Sequence, residues 1–585
     1  MDRPAPTAEY SRAKNGTPTP EAACCVRGSG GGVIPRLYRD EIVQLVKLAA
    51  PVVISQLMVF LIGLISMVYC GHMGKTELAA VSLAAAVVNI TGISIGTGLS
   101  SACDTLISQT YGSGNLKRVG VILQRGILIL LLGCFPCWAV LINTEAILLA
   151  FKQSPEVASL AQLYVKIFMP ALPVTFIYQL QGKYLQNQGI MWPQVITGLV
   201  GNLLNALINY IFLYPLELGV AGSAAANAIS QCSLALLLFI YIYWRGLHKA
   251  TWGGWSIDCL REWGDFVRLA VPSMFMICLA WWTFEIGGFL AGLISEVELG
   301  AQAIVYQLGT ITYVIPLGLT VAATVRVGNA LGAGNVEQAK LSCKVPLICT
   351  FVVACVVGAG LTISRNVIGY IFTTEPDILQ RVGEVMPLIG YMHIVDATAG
   401  AAAGVIRGTG KQLFGALCNL VGFYFIGLPI GLSLMFAANM GIVGLWTGLV
   451  TCVTLQLTVF IIFLCKLDWN KAVEEALVRA GVQNAEEKEM VELEQTDLNQ
   501  KQASVTTTAS GCVSAEEGGT DLEEHDPGHS QLQSTTTTTT TTTTVGDVLS
   551  VRQLVLRRGL ALLVMVVILV AGIISSDLLV RHLKE

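Results

Sequence analysis

Two carboxylates lie within long apolar stretches of this 585-residue chain. Glu285 follows a Trp-Trp-Thr-Phe sequence, and Asp396 stands between a valine and an alanine in another apolar stretch. An ionisable group at mid-membrane depth is costly and by default indicates a functional site. Because burial disfavours the charged form, such a carboxylate can take up and release protons. It cannot hold a proton and a cationic ligand at once, so it could exchange one for the other.

Neighbouring side chains could extend this chemistry to bulky organic cations. Trp281 lies four residues before Glu285, which places an indole ring and a carboxylate on one helical face. Ion pairing and cation–π attraction would both favour an organic cation there. The alternative for Trp281 is a place in an interfacial aromatic belt. Polar uncharged residues at similar depth are Gln56, Asn89, Asn205, Asn209 and Gln307.

The composition indicates that membrane-spanning helices position these residues. Apolar residues make up 54% of the chain and charged residues 13%, about half the share in soluble domains. The mean hydropathy is +0.66. A helix crosses a membrane in about 20 apolar residues, and unpaired backbone groups exclude irregular structure there. The sequence predicts thirteen such spans, at 45–69, 78–107, 119–142, 158–181, 193–214, 219–243, 265–294, 298–325, 342–363, 379–404, 413–437, 441–465 and 560–579.

An internal repeat relates spans 1–6 to spans 7–12. Short sequences recur at one register, with offsets of 220 to 222 residues: Glu77-Leu78 as Glu298-Leu299, Gly112–Asn115 as Gly332–Asn335, and Gly219–Gly222 as Gly441–Gly444. Because six spans return the chain to the same side, the copies are related by a pseudo-two-fold axis along the membrane normal. We predict an all-α membrane protein with six-helix bundles at 36–250 and 251–470. Transporters built this way bind substrate between the halves and alternate access.

The remaining segments and the orientation follow from charge. Lys and Arg in the short loops fall mainly on the side of the N-terminus, which predicts a cytoplasmic N-terminus and an extracellular C-terminus. Residues 1–35 would form a cytoplasmic tail, and the polar, acidic stretch 471–558, with ten consecutive threonines, a disordered cytoplasmic linker. Residues 559–585 would form the thirteenth transmembrane helix and a short extracellular tail. Arg125 lies near a span end and is expected to extend to the interface.

The chain resembles the multidrug and toxic compound extrusion (MATE) family over roughly residues 36–470. The sequences that carry the resemblance are Trp281-Trp282 with Glu285, Arg326–Asn335, Gly369–Thr373, Arg407–Gly410 and Gly427-Leu428-Pro429. The animal branch, with a thirteenth span after a long linker, is the most similar. This resemblance implies proton-coupled export of organic cations and drugs at the plasma membrane, typically its apical face. It places Glu285 and Asp396 in proton and cation coupling.

Two positions depart from that family pattern. Animal relatives usually carry a glutamate just before the two tryptophans and another after the span-8 tyrosine. Here these positions are Ala280 and Gln307, the latter following Tyr306. The resemblance implies that Tyr306, Gln307, Asn205 and Asn209 help bind the substrate. With two acids fewer, the chain could couple through Glu285 and Asp396 alone or favour less charged substrates.

Other functions stay open or are disfavoured. A sodium-coupled exporter remains possible, since oxygen ligands suit either cation. A flippase for amphiphilic substrates is a second alternative, although phosphates would favour a cationic cavity and the deep ionisable groups here are acidic. The sequence has no intramembrane protease or zinc motif, so we expect a non-enzyme with neither cofactor nor metal. A formal charge of −4 gives no basis for nucleic-acid binding.

Overall fold

The structure is a computed structural model that describes residues 35–482 and 550–584. The N-terminal tail and most of the predicted linker, residues 1–34 and 483–549, lie outside these residues. Within the described residues thirteen helices are long and apolar enough to cross a membrane, as the sequence predicts. They are Arg36–Gly71, Thr76–Gly112, Leu116–Leu141, Pro155–Gln186, Trp192–Leu213, Gly219–Trp244, Trp263–Gly292, Glu296–Gly332, Val336–Ile363, Pro376–Thr409, Gln412–Ala437, Ile442–Lys466 and Val551–Ser576. We number them spans 1 to 13.

Close helix crossings at two glycines show how the halves meet. A Cβ atom on Gly98 of span 2 would lie 2.4 Å from the Met274 Cα of span 7. The corresponding atom on Gly318 of span 8 would lie 2.5 Å from the side chain of Val53 in span 1. The offsets from Gly98 to Gly318 and from Val53 to Met274 match the sequence repeat. The two crossings are therefore counterparts under the pseudo-two-fold axis.

A second symmetric pair lies at the end of the bundles that carries the turns 113–115 and 333–335, which we call the loop 2–3 end. A Cβ atom on Gly112 would lie 2.2 Å from the Asn329 carbonyl oxygen. One on Gly332 would lie 1.9 Å from the Gln109 carbonyl oxygen. Each bundle thus presents a glycine to the other's backbone. Because no side chain separates the helices there, the two bundles are in contact at this end.

The segment that joins the bundles is tied to span 3. Gln124 donates from Nε2 to the Gly254 carbonyl at 2.7 Å. Arg125 is 2% exposed and pairs with Glu262 at 3.1 Å, as does Arg118 at 2.8 Å. The prediction that Arg125 extends to the interface is therefore wrong. The reason is a partner distant in sequence: a buried guanidinium is tolerated when a carboxylate neutralises it.

An ordered helix, Trp469–Ala480, follows span 12 where the sequence predicts the start of a disordered linker. Asp468 caps it by accepting from the backbone N–H groups of Asn470 and Lys471. Its buried face consists mainly of small residues, Ala472, Val473, Ala476 and Ala480. This face stabilises the helix by packing against the bundles, a contribution that polar composition does not reveal.

The last helix runs from Val551 to Lys584 and so begins nine residues before the predicted span, and eight before the predicted domain boundary. It lies against span 3. The Arg558 guanidinium stands 4.3 Å from the Trp263 ring centroid, and Asn143 donates to the Gly572 carbonyl at 2.9 Å. Only 6% of its most apolar window is buried, so most of this helix faces outward from the protein.

Candidate functional site

Glu285 lies on span 7 opposite a tyrosine of span 8. The hydroxyl group of Tyr306 donates to Oε1 of Glu285 at 3.3 Å. Both side chains are half-buried. The structure thus brings together two residues that the sequence analysis placed in the site. A phenol that donates to a carboxylate holds the oxygen atoms in a defined direction, which is a requirement for a binding group.

Asp396 lies on span 10 near a second tyrosine of span 8. A Cβ atom on Gly400, one turn after Asp396, would lie 2.4 Å from the Tyr313 hydroxyl oxygen. Since Tyr306 and Tyr313 are two helical turns apart, they share one face of span 8. Their spacing separates the two acidic positions by roughly 10 Å along that helix.

Aromatic side chains pack beside Glu285. The Phe284 ring lies 6.3 Å from Tyr306, 6.4 Å from Phe423 and 6.0 Å from Trp446, measured between ring centroids. Trp446 is fixed by a hydrogen bond from Nε1 to Oε1 of Gln302 at 2.8 Å. This cluster joins spans 7, 8, 11 and 12. It gives the acidic residue a rigid apolar neighbourhood, in which a charge is screened less than in water.

The two tryptophans before Glu285 have different surroundings. Trp281 is 45% exposed, so its ring is accessible as a binding surface or belt residue. Trp282 instead donates from Nε1 to the Ile90 carbonyl of span 2 at 3.1 Å. That carbonyl belongs to a π-helical turn, Asn89–Ile93, where the helical hydrogen-bond pattern changes. Trp282 therefore links the two bundles near the acidic position.

The asparagines of span 5 lie inside the N-terminal bundle. Asn205 donates to the Ser230 hydroxyl at 3.1 Å, and Asn209 to that of Ser66 at 3.4 Å; both asparagines are fully buried. Their hydrogen bonds join spans 1, 5 and 6 rather than reaching the acidic residues of spans 7 and 10. Gln56 on span 1 and Gln307 on span 8 are half-buried. The predicted site residues thus fall into a C-terminal group around the acids and a separate N-terminal group.

The ion pairs distinguish Glu285 and Asp396 from four other shielded acids. Within residues 35–482 and 550–584, neither residue takes part in an ion pair. Four other shielded carboxylates have cationic partners: Glu41 with Arg326, Asp104 with Lys183, Glu262 with Arg118, and Glu298 with Arg381. Two acids in the C-terminal bundle are therefore available to a proton or another cation.

Tyr313 and the Phe284–Trp446 contact are site features that the sequence analysis did not identify. The seven-residue spacing of Tyr306 and Tyr313 was available as a signal of a shared face. The neighbours of Phe284 were not, because Phe423 and Trp446 lie more than 130 residues away along the chain. Helical spacing predicts which residues share a face and does not predict which helix that face contacts.

Comparisons with known proteins agree with this architecture. The family model described as MatE matches residues 51–211 and 272–432, two segments that start 221 residues apart. Multidrug and toxin extrusion protein 1 of Danio rerio is 63% identical, covering 94% of this chain and 93% of the relative. The Homo sapiens protein of that name is 50% identical, with coverages of 95% and 96%.

Solved structures give the same result. The crystal structure of the eukaryotic MATE transporter AtDTX14 superposes with a TM-score of 0.73 at 29% identity, covering 76% of this chain and all of that one. Fold and repeat define a two-bundle membrane transporter rather than an enzyme. The chain belongs to the multidrug and toxin extrusion family. The family resemblance and the repeated helical fold predicted from the sequence are confirmed.

Proposed function

We propose that this transporter exports organic cations in exchange for protons, with Glu285 and Asp396 as the groups that carry the exchange. The observation that carries the proposal is that these two carboxylates stand in membrane spans without an ion-pair partner in the described chain. A carboxylate in such a place is costly when charged. A proton or a substrate cation lowers that cost, and each excludes the other.

Aromatic residues supply the complementary part of the site. Trp281 offers an accessible indole on the helix face of Glu285, and Tyr306 holds the carboxylate. Cation–π attraction favours organic ammonium groups over hydrated inorganic ions. Gln307, Gln56, Asn205 and Asn209 would provide further polar contacts as the bundles move. The absence of glutamates at Ala280 and Gln307 supports coupling through the two remaining acids.

The orientation and location are part of the same proposal. The Lys and Arg residues of the loops favour a cytoplasmic N-terminus. The loop 2–3 end, where the bundles are in contact, would then be the cytoplasmic end. The thirteenth span would place the C-terminus outside the cell, and the plasma membrane, at its apical face, would be the site of action.

The test is uptake of a fluorescent organic cation by proteoliposomes with an acidic interior. The parent chain should accumulate the cation only while the proton gradient persists. Glu285→Gln and Asp396→Asn should each reduce the initial rate roughly tenfold or more, corresponding to about 1.4 kcal/mol or more. Glu337→Gln serves as the control, since Glu337 is an exposed acid at the start of span 9.

Three outcomes would count against the proposal. Uptake that follows a sodium gradient in place of the proton gradient would establish the sodium-coupled alternative. Parent-level, gradient-driven uptake in both acid variants would remove Glu285 and Asp396 from the coupling. No cation uptake by well-reconstituted parent protein would exclude this substrate class and direct attention to amphiphilic substrates.

A further inference from the structure

The short helix after span 12 contacts both bundles at the loop 2–3 end. We propose that this helix, Trp469–Ala480, is a clasp that holds that end closed, and that Arg479 and Gln109 are the positioning residues through which it acts. We call it the clasp helix. The inference rests on the proposed alternating transport, since only a transporter that opens this end needs a releasable contact there.

The clasp helix is anchored to the C-terminal bundle. Glu475 forms an ion pair with Lys411, which precedes span 11, at 2.6 Å. Arg479 donates from Nη2 to the Thr409 carbonyl at 3.1 Å. Its guanidinium carbon lies only 2.9 Å from where a Cβ atom of Gly410 would stand. Because Gly410 has no side chain, Arg479 can lie directly over the turn between spans 10 and 11.

From this anchor the clasp helix extends to Gln109 of the N-terminal bundle. Arg479 donates from Nε to Oε1 of Gln109 at 2.9 Å. The other end of the same amide, Nε2, donates to the Gly408 carbonyl at 2.8 Å. Gln109 is fully buried. The two ends of the Gln109 amide are thus held by the clasp helix and by the C-terminal bundle.

The last carbonyl groups of the clasp helix provide two more contacts between bundles. Such groups lack partners within their own helix and need other donors. Arg118 of span 3 donates from Nε to the Arg479 carbonyl at 3.2 Å, and Asn115 from Nδ2 to that of Ala480 at 3.0 Å. Opening the loop 2–3 end would separate these donors from the clasp helix. The C-terminal bundle would carry the clasp helix away through the Lys411–Glu475 pair.

The two bundles are not equivalent in this respect. The repeat places Asn329 at the position of Gln109. Oε1 of Gln109 accepts from Arg479, whereas the buried Oδ1 atom of Asn329 has no hydrogen-bond partner within the described residues. The chain after span 6, which corresponds in sequence to the clasp helix, is bound to span 3 of its own bundle through Gln124. In the part of the chain that the structure describes, the clasp helix thus has no counterpart after span 6. Its strength should contribute to how often the end opens, beside the ion pair of Glu41 with Arg326 that also joins the bundles.

The experiment measures the distance between spin labels at Lys117 and Glu337, two exposed residues that begin spans 3 and 9 at the loop 2–3 end. The full chain is reconstituted in nanodiscs, in a background that lacks the accessible cysteines. Arg479→Ala should increase the population at the longer distance roughly fivefold, as expected for the loss of one net hydrogen bond. Lys471→Ala, which removes an exposed cation from the same helix, should leave the distribution unchanged.

Arg479→Lys provides a second test that retains the charge. A lysine can reach Gln109 but cannot donate in the same fixed fork, so an intermediate shift is expected. An unchanged distribution in both Arg479 variants, or an equal shift in Lys471→Ala, would overturn the clasp. The measurement uses neither substrate nor gradient, so failure of proton or cation coupling at Glu285 would not alter its result.

Discussion

Tyr306 donates the hydrogen bond that orients Glu285, so its hydroxyl group should affect substrate affinity. Tyr306→Phe keeps the ring beside Phe284 and removes only this donor. Hydrogen bonds to charged groups contribute about 1.5–3 kcal/mol. We expect the KM for an organic cation to rise roughly tenfold, corresponding to about 1.4 kcal/mol, with a smaller change in the maximal rate. Concentration-dependent uptake by acid-loaded proteoliposomes measures both quantities.

Tyr391→Phe is the matched control for this substitution. Tyr391 lies on span 10 and is 47% exposed, so loss of its hydroxyl group should leave KM unchanged. Equal effects of the two variants would mean that Tyr306 acts on stability in general. An unchanged KM in Tyr306→Phe would show that Glu285 is oriented by other contacts.

The sequence predicted the roles of residues that stand out by their type, and it did not predict contacts between residues on separate helices. Glu285 and Asp396 stand out in sequence because charge within an apolar run is rare. The partners of Arg125 and Asn205 could not be predicted, since Glu262 and Ser230 reach them through the packing of separate helices. For the same reason the role of Tyr313 became apparent only when span 10 was placed beside it.

At the scale of elements, the length and apolar content of the segments predicted the thirteen spans. The internal repeat predicted which span of the first half corresponds to which span of the second. The clasp helix was missed because its sequence is polar overall and its buried face is mostly alanine. Such a helix has too little apolar surface to form alone, and packing against two bundles decides its structure. The early start of the last helix has a related cause, since Arg558 is stabilised by the Trp263 ring.

The symmetric helix crossings lead to a prediction about stability. Gly98→Ala would place a Cβ atom 2.4 Å from backbone of span 7, and Gly318→Ala one 2.9 Å from the Ala49 carbonyl oxygen of span 1. Backbone atoms cannot avoid the added Cβ atom by a change of rotamer, so the helices must move apart. This should lower the free energy of unfolding by about 1–3 kcal/mol. Both variants should unfold at lower temperature than the parent in detergent, and Gly98→Ala should show the larger decrease.

Gly309→Ala is the control for these crossings, because a Cβ atom at Gly309 of span 8 meets nothing within 4 Å. Alanine also favours helix more than glycine does, so this variant should equal or exceed the parent in thermal stability. If Gly309→Ala lost as much stability as Gly98→Ala, sensitivity to alanine would be general. The crossings would then not determine how the bundles pack.

For the whole molecule, the two halves share one fold, but the two acids proposed for the exchange lie in the C-terminal half alone. The positions equivalent to Glu285 and Asp396 in the first half, at an offset of 221 residues, are Leu64 and Thr175. The N-terminal bundle instead holds the buried acids Asp104 and Glu41 in ion pairs, Asp104 with Lys183 at 2.8 Å and Glu41 with Arg326 of span 8. The C-terminal half therefore supplies the two carboxylates without an ion-pair partner on which the proposed exchange depends. The proposed exchange of protons for organic cations at Glu285 and Asp396 agrees with this difference between the bundles.

The thirteenth span lies on the outer side of the N-terminal bundle, so its docking should affect stability more than transport. A side chain at Gly572 would lie 2.7 Å from Ala139 of span 3, and Gly572→Leu should displace the helix. We expect a lower unfolding temperature in detergent and a parent-level rate of cation uptake in proteoliposomes. Gly559→Leu, on the same helix in open space, should change neither. A transport rate that fell in Gly572→Leu at unchanged stability would instead show that this helix takes part in the movement of the bundles.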